Sequence, residues 1–121
     1  MARTREAGLE FCGSGLTPTA QNAMAAAGAI SLATYCTAVN TTTGSGHAST
    51  LADGVRVGQM KKIILVVDAG DLVVTVTSLS GGNTITFADA GDWIELQWDG
   101  YNWVPIAYAG AVDAGPAIST V

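Results

Sequence analysis

Charge is what this chain of 121 residues has least of. Asp, Glu, Lys and Arg together make up 12% of it, against about 25% in an ordinary soluble domain. Its surface must be built from Thr, Ser, Asn and Gly, which suits a protein that buries surface against partners or copies of itself. Positive charge is scarcest: the five cations are Arg3, Arg5, Arg56, Lys61 and Lys62. They are too few and too scattered to follow a phosphate backbone, and the net charge is −5, so no nucleic-acid partner is expected. Histidine is limited to His47, which removes HExxH and paired-histidine zinc sites. Ser45, Ser49 and Asp53 lie near it along the chain, but neighbours on one loop do not form a catalytic triad, and no GxSxG turn is present. Gly13-Ser14-Gly15 and Gly44-Ser45-Gly46 lack the following Gly-Lys-Ser/Thr of a phosphate loop. No catalytic residue, cofactor or metal ligand is assigned.

Long apolar runs are also missing. Nothing approaches the roughly 20 residues that span a bilayer as a helix, so no membrane partner is expected. The N-terminal MARTREAGLEF has two arginines with no apolar segment behind them, which predicts no secretory signal. Synthesis and assembly in a cytosol follow as the expectation. In that compartment the two cysteines, Cys12 and Cys36, are expected as free thiols, with pairing as the alternative.

What the chain does have is one concentrated aromatic stretch, residues 89–108. It holds all three tryptophans, Trp93, Trp98 and Trp103, with Tyr101 and Tyr108. Ile94, Leu96 and Trp98 alternate with Trp93, Glu95 and Gln97, the period of a half-buried strand. Asp99-Gly100 then suits a tight turn, and the chain returns through Trp103 to Tyr108. A β-hairpin is predicted whose large side chains anchor a core of small ones. Core packing is the expectation for Trp98 and Trp103. The alternative is a ligand-stacking platform of Trp93, Tyr101 and Trp103, since exposed aromatics on a β-face bind sugar rings by apolar contact.

The remainder divides by texture into an arm (1–28), a β-domain (29–110) and a small-residue tail (111–121). Within the arm, Thr19–Ala27 has the alanine and methionine of a short helix. Leu9, Phe11 and Leu16 are its few large apolar residues, and such an arm is expected to order against something else. From Ala29 onward strands are predicted at about 30–39, 47–52, 59–67, 71–78 and 84–88. The run Ile63-Ile64-Leu65-Val66-Val67 is apolar on both faces, as in a central strand or one that lines an interface. Asp68-Ala69-Gly70-Asp71, Asp89-Ala90-Gly91-Asp92 and Asp113-Ala114-Gly115 recur at strand ends. Aspartate caps and left-handed glycines explain them as turns. Their carboxylates are of the type that holds Ca²⁺, but no EF-hand or nonapeptide spacing is present.

Two segments resemble small β-rich virion proteins of tailed bacteriophages, among them capsid decoration proteins. The first carries Leu51-Ala52-Asp53-Gly54, Gly58-Gln59, Lys61 and Ile63. The second carries Ile85-Thr86-Phe87, Gly91-Asp92, Leu96 and Trp98, followed by Trp103. The resemblance covers about residues 29–108 and implies a single all-β domain of β-tulip type, sandwich- or barrel-like, with an extended N-terminal arm. It further implies a homotrimer on the outside of a virion capsid, assembled in the host cytoplasm and bound to the major capsid protein. Arg3, Arg5, Leu9 and Phe11 would then dock the arm on the shell. The alternative is a head or tail fibre domain, or a carbohydrate- or receptor-binding β-module.

Overall fold

The computed structural model describes residues 21–110 and 113–120, with the backbone alone for residues 21 and 22. Ten strands and no helix occur among them: β1 (Gln21–Met24), β2 (Gly28–Ala29), β3 (Cys36–Asn40), β4 (His47–Leu51), β5 (Met60–Val67), β6 (Leu72–Leu79), β7 (Gly82–Phe87), β8 (Trp93–Trp98), β9 (Trp103–Ala109) and β10 (Ala117–Ser119). All ten belong to one hydrogen-bonded sheet. It folds over at the bridge between Leu79 and Trp103, giving a front face of β1-β3-β5-β8-β9 and a back face of β2-β4-β6-β7-β10.

The chain visits the two faces in pairs, so each pair is one turn of a coil. β1–β2, β3–β4 and β5–β6 wind the same way and stack in parallel on both faces. Parallel neighbours need a long crossover, commonly a helix; here the crossover is a strand of the opposite face. A tight hairpin after Leu79 reverses the path, so β7–β8 runs antiparallel to the coil before it. The hairpin after Trp98 reverses it again into β9–β10. The result is a short β-solenoid, in which each coil rests on its neighbours.

Alternation along each strand decides which side chains point between the faces. On β6, Leu72, Val74 and Val76 are buried while Thr75 and Thr77 are exposed. Ile63 and Leu65 of β5 and Ile94, Leu96 and Trp98 of β8 meet Leu72, Val74, Ile85 and Phe87 from the back face in one core cluster. At ~25 cal/mol per Å², a buried indole of ~200 Å² contributes ~5 kcal/mol before entropy is subtracted. Trp103, at 0% exposed, is the largest such unit in a core built mainly from Val, Ile and Leu.

All-β is the class, and the aromatic hairpin forms as expected, with Gly100 at φ 102° in its turn. The sandwich- or barrel-like β-tulip expectation is corrected to a solenoid. Alternation reports which side of a strand is buried, but not whether its neighbour is parallel or sits one coil away. The helix over Thr19–Ala27 is also corrected, because Gln21–Met24 pairs with Cys36–Val39 as a strand. Ladder hydrogen bonds outweigh a propensity worth only tenths of a kcal/mol per residue. The strand predicted at 30–39 shortens to Cys36–Asn40: Ile30 is buried, but Ala33 turns back to donate its N–H to Ser31 Oγ at 3.1 Å. β1 lies inside the stretch assigned to the arm, and β10 inside the stretch assigned to the tail.

Candidate interaction face and an acidic edge

The outward side of the front face carries residues that are in register across the strands. One row runs Ala23, Ala38, Ile64, Trp93 and Ala109. Five strands at about 4.8 Å spacing make this an apolar strip ~19 Å wide. The next row holds Cys36, Lys62, Glu95 and Ala107, and Lys62 Nζ sits 4.8 Å from the centroid of the Trp93 ring. Val66 continues the outward set on β5 and is 48% exposed. The row through Ile64 is apolar where a sheet face turned to water is ordinarily polar, while the next row mixes Lys62 and Glu95 with the fully buried Cys36.

Trp98 and Trp103 pack in the core as expected, and the alternative stacking platform of Trp93, Tyr101 and Trp103 does not form. Trp103 lies in the core, donates Nε1–H to Ala52 O at 2.8 Å and meets Trp98 edge-on at 5.5 Å. Tyr101 is 82% exposed at the hairpin tip. Trp93 is half-buried at the far end of β8, opposite Ala109. Register gives the reason: Trp98 and Trp103 face each other across the ladder, so both turn inward with Leu96. Asp99 Oδ1 accepts N–H bonds from Asn102 (2.7 Å) and Tyr101 (2.8 Å), which stabilise the carboxylate and hold its pKa below the usual range.

Lys61 points inward from β5 and is buried. Its Nζ donates to Thr37 Oγ1 (2.7 Å), Thr34 O (3.1 Å) and Thr34 Oγ1 (3.1 Å). These acceptors are neutral, so burial pushes the lysine pKa down to about 8. Between about 8 and 10.5 the unfolded chain holds a proton that the folded chain has released. Stability therefore rises with pH across that window, by roughly 3 kcal/mol in all. Tyr35 works the other way above its ordinary value of 10, because burial and its hydrogen bond to Glu95 raise its pKa. Urea midpoints are expected to climb from pH 8 to 10 in the wild type and to stay flat in Lys61→Met. A flat wild-type profile would contradict the buried charge.

The turns sit on two edges of the solenoid. On one, Gln59 ties successive turns together, accepting Val55 N–H at 2.7 Å and donating Nε2–H to Leu32 O at 3.2 Å. Beside it Leu32, Tyr35, Val55, Arg56 and Met60 line an open cleft of about 490 Å³. On the other edge lie the turns at 41–46, 68–71 and 88–92, with residues 113–116 beside them. Thr41 Oγ1 accepts N–H bonds from Ala69 (2.8 Å) and Gly70 (3.1 Å), linking one turn to the next. His47 enters there half-buried, its Nε2 at 3.2 Å from Thr42 Oγ1.

Stacking brings the recurring Asp-Ala-Gly turns together. One carboxylate oxygen each from Asp89, Asp92 and Asp113 lie within 4.8 Å of one another. Asp92 Oδ2 accepts the N–H groups of Ala88 (3.1 Å) and Asp89 (3.3 Å), while Oδ1 is buried with no hydrogen-bond partner. Burial raises the Asp89 pKa, with contributions from the charges of Asp113, Asp92 and Asp68 and a hydrogen bond to Asp113. The recurrence was visible in the sequence, but as turn chemistry. Only coil stacking shows that the turns share an edge.

Cys36 is fully buried and disulfide-bonded, which corrects the expectation of a free thiol there. That expectation rested on compartment alone. The other cysteine, Cys12, lies outside the described residues, as do Arg3, Arg5, Leu9 and Phe11. Of the motif residues in the two resembling segments, Leu51, Lys61, Ile63, Phe87, Asp92, Leu96, Trp98 and Trp103 are buried, while Ala52, Asp53 and Gly58 are exposed. Comparison with known proteins supplies no family. No family model matches the chain, and no curated protein matches it.

Proposed function

We propose that this chain is a non-enzymatic structural protein that works by association, as a homotrimer bound to the outside of a bacteriophage capsid. The observation that carries the reading is the apolar row Ala23, Ala38, Ile64, Trp93 and Ala109 on an outward sheet face. A row of this kind is stable in water when another surface covers it. The capsid as the partner rests on the two resembling segments. A trimer holding three weak contacts to a shell binds by avidity without further chemistry, and a protein that binds only the assembled shell stabilises it by mass action. The shell contact is assigned to the N-terminal arm through Arg3, Arg5, Leu9 and Phe11.

The test is co-sedimentation with purified capsids of tailed bacteriophages. The full chain is expected to pellet with them, and a chain lacking residues 1–11, which keeps both cysteines, to stay in the supernatant with an unchanged circular dichroism spectrum. Undiminished binding by the truncated chain would remove the arm from the account. A head or tail fibre domain is the second reading, and the stacked coils favour it, since a solenoid extends by adding rungs at its ends. The sugar-stacking version is weaker, because Trp103 is inside the core.

A further inference from the structure

The edge where the Asp-Ala-Gly turns stack has a property that turn formation does not explain. Capping aspartates ordinarily spend their oxygens on backbone N–H groups. Asp92 does this with Oδ2 only. Its side chain is 1% exposed, and Oδ1 is enclosed without a donor. Buried carboxylate oxygens are rarely left this way, and each one calls for an ion, a water or a proton to account for it.

Oδ1 points toward the strand-connecting segment that carries Asp113. A Cβ at Gly110 would stand 2.5 Å from Asp92 Oδ1 and 2.9 Å from Gly115 N, and Gly115 N in turn donates to Asp113 Oδ1 at 2.9 Å. Only a glycine lets the chain pass this close to the carboxylate, and it sets the Asp113 turn beside Asp92 Oδ1. Asp89 brings a third carboxylate oxygen within 4.8 Å of those of Asp92 and Asp113. Of the described cations, Lys61 is committed to Thr34 and Thr37, Lys62 lies over Trp93, and Arg56 lines the cleft at the other edge.

We propose that Asp89, Asp92 and Asp113 bind one divalent cation of the calcium class at this edge, pinning the β9–β10 turn to the β7–β8 turn. Calcium is favoured over magnesium because it accepts irregular oxygen sets completed by water, at about 2.3–2.6 Å, whereas Mg²⁺ demands a near-ideal octahedron at about 2.0–2.1 Å. The three carboxylate oxygens already lie within 4.8 Å of one another. Carboxylates and water are the hard ligands this ion prefers, and no thiolate or imidazole takes part. Ion binding neutralises the like charges and gives Asp92 Oδ1 its partner.

Calorimetric titration of the chelator-treated full chain with CaCl₂ tests this, alongside thermal melts with and without the salt. One calcium per chain is expected, with a higher melting temperature in its presence and at least tenfold weaker binding of MgCl₂. Asp113→Asn and Asp89→Asn are expected to lose binding at least tenfold, yet to melt no lower than the metal-free wild type, since each removes a repelling charge. Asp92 is not the variant to use, because its Oδ2 bonds hold the turn. No heat of binding and no melting shift with CaCl₂ in the wild type would overturn the proposal. So would calcium binding that persists unchanged in both asparagine variants, or a magnesium affinity equal to that of calcium.

Discussion

Trp103→Ala is expected to lower the free energy of unfolding by ~4 kcal/mol, the upper part of the range for large-to-small changes at a buried aromatic. Three losses combine at this position. The indole is fully buried, so its removal leaves a cavity that the β-branched neighbours fill poorly. The edge-on contact with Trp98 disappears, and Ala52 O loses the Nε1–H donor that ties the start of the 52–59 turn to the core. Trp103 also sits where the two faces join, paired with both Trp98 and Leu79. Trp103→Phe keeps most of the apolar volume and loses the hydrogen bond, so about 1–2 kcal/mol is expected. Urea unfolding followed by far-ultraviolet circular dichroism separates the two. An alanine variant with the wild-type midpoint would mean that Trp103 is not the anchor described.

Trp93→Ala is expected to act on association and much less on folding. Trp93 is half-buried in the apolar row, between Ile64 and Ala109, and is its largest side chain. Tryptophans are frequent interface hot spots, and truncating one costs ~2 kcal/mol or more, about thirtyfold in affinity. Val66→Glu checks the same surface from a more exposed position. A carboxylate there would have to be desolvated on association, while the isolated fold should change by no more than about 0.5 kcal/mol. Both variants are expected to shift the protein toward monomer in sedimentation velocity runs. If both associate as the wild type does, this face is not the one that copies share.

Much of the fold was legible from residues 47 onward. Leu72, Val74 and Val76 alternate with polar or half-exposed residues, and the inward parity of Ile94, Leu96 and Trp98 is written in steps of two. Asp99-Gly100 marked the hairpin turn, and register then fixed Trp103 inside. The two-sided apolarity of β5 pointed to a central strand or one that lines an interface, and β5 is the middle strand of the front face. The parallel stacking was not legible. A strand's side-chain pattern is the same whether its neighbour runs beside it in a hairpin or arrives one coil later from the opposite face. β1 and β2 were lost for a related reason: four and two residues long, they carry too few side chains to show a period. The acidic edge was half legible. Three Asp-Ala-Gly turns could be counted, but their convergence depends on turns far apart in sequence stacking on one edge.

The central claim is that the outward front face is a surface shared between copies, and the mass of the full chain in solution tests it most directly. Light scattering at micromolar concentration is predicted to give a trimer, three times the 12.2 kDa of one chain. A homogeneous species of 12.2 kDa under the same conditions would contradict the account.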